Sequence, residues 1–478
     1  MMSLAETAIA IGARILPPLD TASGRALSGR SFASVSTDSR SFERNAMFVA
    51  LRGERFDGHA FLAAVSERGA AAAMIDERAA NELAAGAATV SQLPMLVVDD
   101  TRRGLGRLAA HWRSRFAIPL VAVAGSNGKT TVKEMVAAIL RAHYGSEATL
   151  ATTGNLNNDI GLPLTLLRLA SRHASAVVEV GMNHPGETRE LAAIARPTVA
   201  LVNNAQREHQ EFMASVEDVA REHGALFEAL PADGIAVINA DDVFADYWRK
   251  VALSDARRSV RDFGIAGGLA TKAAVRAKCE LKTFGSDIDL VTPEGRVEFS
   301  LQAAGQHNAR NAVAAAAAAT AAGASLDAVA QGLSAFAPVK GRLQKKAGLG
   351  GAVVIDDTYN ANPDSVLAAI DALAQAAPGG RRVLALGDMG EVGERGPAFH
   401  AEIGRYARAH GVAQLLAAGE LSRHVVAAFG SGARHFDSVE ALALAARARD
   451  VAGTTVLVKG SRFMRMERVV RALTGEDA

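Results

Sequence analysis

The sequence predicts an α/β protein of three domains, two of them built on open parallel sheets. Three observations point there. An apolar run, Leu120–Ala124, leads through Gly125-Ser126-Asn127-Gly128-Lys129-Thr130-Thr131 into a segment of helical spacing, Val132–Leu140. Further apolar runs at 176–180, 198–202 and 235–238 alternate with helical segments, as in a parallel sheet covered on both faces. Beyond Pro338 a second series, 352–356, 382–386, 415–418 and 455–458, continues the alternation. A chain of 478 residues also exceeds one ordinary core.

Taken in order, residues 1–115 hold short strand-like pieces (48–51, 72–75, 95–98) between polar turns, then a helix over 101–116. The Ile118-Pro119 pair breaks that helix, because proline disfavours helical geometry in the residue before it. Residues 116–337 form the central domain. Its spacing shifts to strict alternation between about 259 and 304, which predicts an antiparallel excursion, and a helix over 308–322 closes it. Residues 338–478 form the third domain. Ligands of open α/β sheets bind beyond the carboxyl ends of the strands. Asp357-Thr358-Tyr359-Asn360, Gly387-Asp388-Met389 and Lys459-Gly460-Ser461-Arg462 all fall there.

Composition excludes several classes. Hydrophobic residues are 49% and charged residues 22%, as in a soluble globular protein. The net charge of +1 provides no global field for nucleic acid or an anionic membrane. One cysteine, Cys279, allows no internal disulfide and fits a reducing compartment. The first residues lack an export signal, and no apolar run is long enough to span a bilayer. A cytoplasmic protein without membrane insertion is expected.

The chemistry begins at the glycine loop. Its glycines let backbone N–H groups converge on phosphate oxygens, and the following helix N-terminus adds favourable partial charge. Lys129 is placed to reach the β/γ-phosphates and Thr130 to hold Mg²⁺. The strict pattern would put its first glycine at Val123, so the loop is a shorter variant. Glu179 ends an apolar strand, where a carboxylate is costly unless paired or bound to metal. Mg²⁺ beside the phosphates is its expected partner, helix capping the plainer one. Asn203-Asn204 ends the next strand, and His209, ordinary as a loop histidine, follows. The Asn155–Pro163 loop, with Asn155 and Asn158, suits either turn capping or substrate hydrogen bonding. Asn308 and Asn311 share one helix face and suit either an adenine edge or a helix cap. Arg342 follows the linker, placed to fold back on phosphate. Thr37-Asp38-Ser39-Arg40 offers hydroxyl and guanidinium donors suited to a diphosphate.

In order and spacing these pieces resemble the Mur ligase family, ATP-dependent amide-bond-forming enzymes of peptidoglycan synthesis. The resemblance rests on Gly125–Thr131, Asn155–Pro163, Glu179-Val180-Gly181, Asn203-Asn204 with His209, Gly305–Asn311, Gly341-Arg342-Leu343, Asp356–Pro363 and Lys459–Arg462. It implies a small N-terminal α/β domain for a UDP moiety, a central P-loop ATPase sheet and a Rossmann-like C-terminal domain. Asp357–Pro363 and Lys459–Arg462 resemble most the last-acting member, which joins D-alanyl-D-alanine to UDP-MurNAc-tripeptide. The Asp-Asn-Pro-Arg motif of the preceding member is absent.

The resemblance further implies ATP and Mg²⁺ as cofactors and a monomer acting on small molecules, with no nucleic acid partner. Lys129, Glu179 and His209 are the implied catalytic residues, and Thr130, Glu179 and His209 the metal ligands. Gly125–Thr131, Asn308, Asn311, Arg342 and Asp357 would bind nucleotide. Ser39, Arg40, Asn155, Asn158, Tyr359, Asn360, Asn362, Lys459 and Ser461 would bind the other substrates. One departure stands out. Family members commonly use a carbamylated lysine as an acidic ligand near a second metal. The equivalent stretch here is Glu222-His223-Gly224-Ala225, and histidine cannot form that stable carbamate; two readings stay open, direct ligation by His223 as a neutral imidazole and a second Mg²⁺ site built differently. Two other readings remain open: a relative adding a single amino acid, and a nucleotide-dependent switch.

Overall fold

The computed structural model describes residues 1–17, 29–85, 93–265 and 272–476. Three separate sheets carry the fold; one apolar core runs between the first two, and the third sheet is packed on both faces. The first has five strands, β1 (Arg14–Leu16), β2 (Val35–Ser36), β3 (Met47–Val49), β4 (Ala72–Asp76) and β5 (Met95–Val98), ordered β1-β5-β4-β3-β2. Only β1 runs antiparallel to its neighbour. The helix Thr101–Arg113, capped by the Asp100 side chain, leads to the second sheet.

That sheet has nine strands: β6 (Leu120–Ala124), β7 (Thr149–Ala151), β8 (Ser175–Glu179), β9 (Val199–Val202), β10 (Ile235–Asn239), β11 (Ser259–Ile265), β12 (Val275–Lys282), β13 (Gly285–Thr292) and β14 (Gly295–Leu301). Their order is β14-β13-β12-β11-β10-β9-β6-β8-β7. Every residue of β6, β8 and β9 is buried, which is why these strands read as continuous apolar runs instead of alternating ones. The expected antiparallel excursion is the β12–β13–β14 meander. It begins later than the spacing suggested, since β11 and β12 still pair parallel.

The helix Gln306–Ala321 lies beneath this sheet, and all eight residues from Ala312 to Ala319 are fully buried. Small side chains let it approach the sheet and the phosphate-loop helix, Lys129–Tyr144, closely. Chain order changes direction at β6, which has β8 on one side and β9 on the other. Ligand crevices open at such switch points.

The third sheet comprises β15 (Gln344–Ala347), β16 (Val353–Asp357), β17 (Arg381–Gly387), β18 (Gln414–Ala418), β19 (Ala433–Phe436) and β20 (Thr454–Lys459), ordered β15-β16-β20-β17-β18-β19. All neighbours are parallel except β15 with β16. Asp357 and Lys459 face one another in register at the carboxyl ends of β16 and β20.

Candidate active site

The glycine loop is shaped by two left-handed glycines, Gly125 (φ 132°) and Gly128 (φ 86°). A Cβ at Gly128 would lie 2.6 Å from Asn311 Oδ1 and 2.7 Å from Asn203 Nδ2, so glycine is required by space as well as by φ. The loop is fastened to the segment after β9. Asn127 N–H donates to Asn204 Oδ1 at 2.8 Å, and Asn203 Nδ2 donates to Asn127 O at 2.9 Å. Gln206 N–H donates to Ser126 Oγ, and Asn127 Nδ2 donates to Gln206 Oε1. Thr131 is buried at the edge of the cavity.

Lys129 opens the helix and folds back, its Nζ donating to Gly125 O at 2.6 Å and meeting Glu208 Oε2 at 3.2 Å. Glu208 is almost fully buried, and its other oxygen sits 2.7 Å from His223 Nε2. Burial disfavours its charge, but the Lys129 ammonium and then His223 outweigh that and hold its pKa down to about 2. Spacing gave no sign of Glu208, because it lies in an irregular loop and acquires its partners only on folding.

Glu179 lies beside the loop because its neighbour in register is Val123 on β6. It is 3% exposed; Oε1 accepts from Asn157 Nδ2 at 2.7 Å, and Oε2 is buried without a partner. An unsatisfied buried carboxylate oxygen costs free energy, and a cation would relieve it. Among the described residues, no three His, Cys, Asp or Glu side chains converge into a ready-made metal cage. His209 Nδ1 is 2.6 Å from Glu391 Oε2 of the third domain, and its Nε2 is 3.8 Å from Glu208 Oε2.

The third domain reaches the loop directly. Arg342 Nη2 donates to Thr130 Oγ1 at 3.0 Å, and its guanidinium lies over the Tyr359 ring, 4.1 Å from the centroid. Asn362 caps the helix Pro363–Ala376 and exchanges amide hydrogen bonds with Asn127. Lys459 Nζ is buried against Asp357 Oδ2 at 2.5 Å and the Asn360 carbonyl at 2.9 Å. The lysine is therefore half of a neutralised pair and not a free cation. Ser461 Oγ accepts from Gly390 N–H and donates to Ala361 O. Asp388, expected among the ligand-facing clusters, instead caps the helix Ser422–Phe429 through Ser422 N–H and Oγ.

One cavity of about 960 Å³ brings most of these groups together. Its wall includes the phosphate loop, Glu179, Asn155 and Asn158, and Arg342, Asp357 and Ser461 from the third domain. Asn308 and Asn311 also border it, but their amides are largely consumed: Asn311 Nδ2 donates to Asn308 Oδ1, and Asn311 Oδ1 accepts from Asn203. Gly305, not an asparagine side chain, is the N-cap of their helix. Asn158 caps the helix Gly161–Leu166 through Gly161 N–H, so turn capping accounts for it as well. Ser39 and Arg40 lie away from this cavity, and the exposed Arg40 is paired with Asp38.

Besides Glu208, two residues not picked out from the sequence as site residues matter. Asn157, between the two asparagines singled out, is the one that orients Glu179. Lys133 is fully buried one turn into the helix, donating to Thr152 O at 2.8 Å, while Thr152 Oγ1 accepts from Glu179 N–H. Its place in an apolar helical stripe gave no signal.

Known proteins are similar to this chain over most of its length. Residues 31–113 match the model "Mur ligase family, catalytic domain", 123–319 "Mur ligase middle domain" and 341–462 "Mur ligase, glutamate ligase domain". The UDP-N-acetylmuramoyl-tripeptide–D-alanyl-D-alanine ligase of Escherichia coli is 41% identical over 92% of this chain and 93% of its own length. That of Haemophilus influenzae is 37% identical over the same shares. The crystal structure of MurF from Acinetobacter baumannii superposes with a TM-score of 0.87 at 31% identity, covering 99% of both chains. MurF ligase from Thermotoga maritima in complex with ADP superposes at 0.78 with 25% identity, covering 93% of this chain and 97% of that one. With three domain models in order and relatives similar over nine-tenths of its length, the chain belongs to the Mur ligase family of ATP-dependent amide-bond-forming ligases.

Proposed function

We propose that this chain joins D-alanyl-D-alanine to UDP-MurNAc-tripeptide with ATP, giving UDP-MurNAc-pentapeptide, ADP and phosphate. The observation that carries the reading is a single cavity, lined both by the phosphate loop and by strand ends of the third sheet. A relative 41% identical over 92% of the chain carries this activity in its name. The chain would act as a monomer on small molecules. Among the described residues no helix is long and apolar enough to cross a membrane.

A carboxylate lacks an adequate leaving group, so it must be activated before an amine attacks. The tripeptide's terminal carboxylate oxygen attacks the γ-phosphorus and the bond to ADP breaks. The amine nitrogen of D-alanyl-D-alanine then attacks the acyl carbon, loses a proton, and phosphate leaves. Backbone N–H groups of Gly125–Thr131 would cradle the nucleotide phosphates, and Lys129 would swing from Gly125 O onto the γ-phosphoryl. Mg²⁺ would be held by Thr130 and the free oxygen of Glu179, with His209 nearby, and would offset phosphate charge. Arg342, already on Thr130, would add positive charge from the third domain. Asp357, Asn308 and Asn311 would shape the nucleotide wall. Tyr359, Asn360, Asn362, Lys459 and Ser461 would form the wall for the amine substrate. Asn155 and Asn158 would face the tripeptide, and Ser39 and Arg40 the UDP diphosphate. Closure of the third domain would keep water from the acyl phosphate.

The test is substrate dependence. Phosphate release with ATP and Mg²⁺ is expected only when both substrates are present, with a product mass equal to the pentapeptide precursor. Turnover with a single amino acid in place of the dipeptide would move the assignment to another family member. Hydrolysis that proceeds equally without either substrate would end it.

A further inference from the structure

The family resemblance assigns an acidic metal-ligand role to a carbamylated lysine, and this chain has His223 at that place. His223 is fully buried on the helix Val216–Glu228. Its Nε2 does not point into an empty space that a carbamate would have filled. It meets Glu208 Oε1 at 2.7 Å, a carboxylate delivered from the loop after β9. The second oxygen of Glu208 faces Lys129 Nζ at 3.2 Å and His209 Nε2 at 3.8 Å. A lysine carbamate is a carboxylate on a long arm from this helix. Glu208 on His223 is a carboxylate on a short arm from the opposite wall, reaching the same helix.

We infer that Glu208, positioned by His223, supplies in this chain the acidic group of the second divalent-cation site, in place of a carbamylated lysine. Three observations carry this inference, which rests on the ATP-site reading above. First, Lys129 and His223 are the only donors to the Glu208 carboxylate among the described residues, so its second oxygen keeps accepting capacity. A carboxylate meant only as a structural anchor is usually enclosed by backbone N–H groups, as Asp388 and Asp450 are here. Second, Lys129 must leave Glu208 to reach a phosphate, and its departure would free that oxygen where positive charge is then needed. Third, Glu208, Thr130 and Glu179 line the same cavity, and Glu179 Oε2 is itself buried without a partner. His223 acts through Glu208 and is a positioning residue. Its ring N–H orients the carboxylate as an outer-shell partner orients a metal ligand.

The inference is tested by counting Mn²⁺ bound to the full chain by electron paramagnetic resonance, with a non-hydrolysable ATP analogue present. Buffers are stripped of carbon dioxide, and analogue binding is measured in parallel. Wild type is expected to bind a second Mn²⁺ with no need for bicarbonate. Glu208→Gln, close to isosteric, should lose that second ion while keeping the first. His223→Gln should weaken the second ion by about 10–100-fold, the range for outer-shell partners. Recovery of the second ion in Glu208→Ala/His223→Lys only when bicarbonate is added would show that the two devices are interchangeable. A Glu208→Gln variant that melts normally and binds the second Mn²⁺ unchanged would overturn the inference, as would a wild-type second site that needs bicarbonate. Wild type that binds no analogue would remove the ATP-site reading itself, and this inference with it.

Discussion

Lys129 illustrates how much of this site is decided by single side chains. Its ammonium rests on the carbonyls of its own loop and on Glu208, so the cation needed at the phosphates is stored a short swing away. Lys129→Ala should lower kcat by about 10²–10³-fold, the usual cost of one preorganised charge-stabilising donor. Calorimetric binding of the UDP-precursor should be unchanged. A second residue-scale prediction concerns His400, which is fully buried. Its Nδ1–H donates to Gly396 O at 2.7 Å, and its Nε2 accepts from Met389 N–H at 3.0 Å. Burial lowers its pKa below the usual 6.5 despite Asp388 nearby. The unfolded chain then binds the proton more readily, so His400 stabilises fully above about pH 6.5 and less as pH falls. Melting temperature should therefore drop between pH 7 and 5. His400→Gln should reduce that slope without abolishing it, since burial also lowers the pKa of His307 and His173. Lys129, Thr130 and Glu179 were legible from sequence because strand, loop and helix spacing place them. Glu208, Asn157, Lys133 and His400 were not, since each takes its meaning from a partner remote in sequence.

At the scale of elements, the phosphate loop is a tight turn pinned between two amide clusters. Gly128→Ala sets a Cβ against Asn311 and Asn203 and also strains a left-handed φ. It should cost about 1–3 kcal/mol of stability and weaken nucleotide binding together. Gly145, at the other end of the same helix, also has a positive φ (97°), but nothing lies within 4 Å of its Cβ position. Gly145→Ala should cost only the strain and leave nucleotide affinity intact; equal effects of the two variants on affinity would contradict the account. The same scale shows why some strands were readable and others not. β6 and β9 are apolar throughout, and β8, β16, β17 and β20 each hold a run of buried apolar residues, so they stand out. β7, β15 and β19 are three or four residues long and the last two are partly polar, and they exist because a neighbour offers an edge. Asn308 and Asn311 show the converse: their shared face was evident, but not that Asn203 would occupy it.

Across the whole molecule, the third domain is held onto the central one by polar contacts and by Phe284, which packs against the third domain's core. Arg207 contributes bidentate contacts to Asp364 and a further pair to Glu402. Burial works against its charge, but these two carboxylates overcome that and raise its pKa further. Charge-assisted bonds of this kind contribute about 1.5–3 kcal/mol each. Arg207→Ala should therefore favour more open arrangements, seen as a larger radius of gyration in small-angle scattering. It should lower kcat while sparing nucleotide affinity. Such closure matters if the two sheets together serve one reaction, phosphorylation of a carboxylate followed by attack of an amine. That is tested most directly by labelling both oxygens of the tripeptide's reacting carboxylate with oxygen-18. One labelled oxygen should leave in the inorganic phosphate and the other stay in the new amide. Phosphate released without label, while the amide forms, would rule out the acyl phosphate.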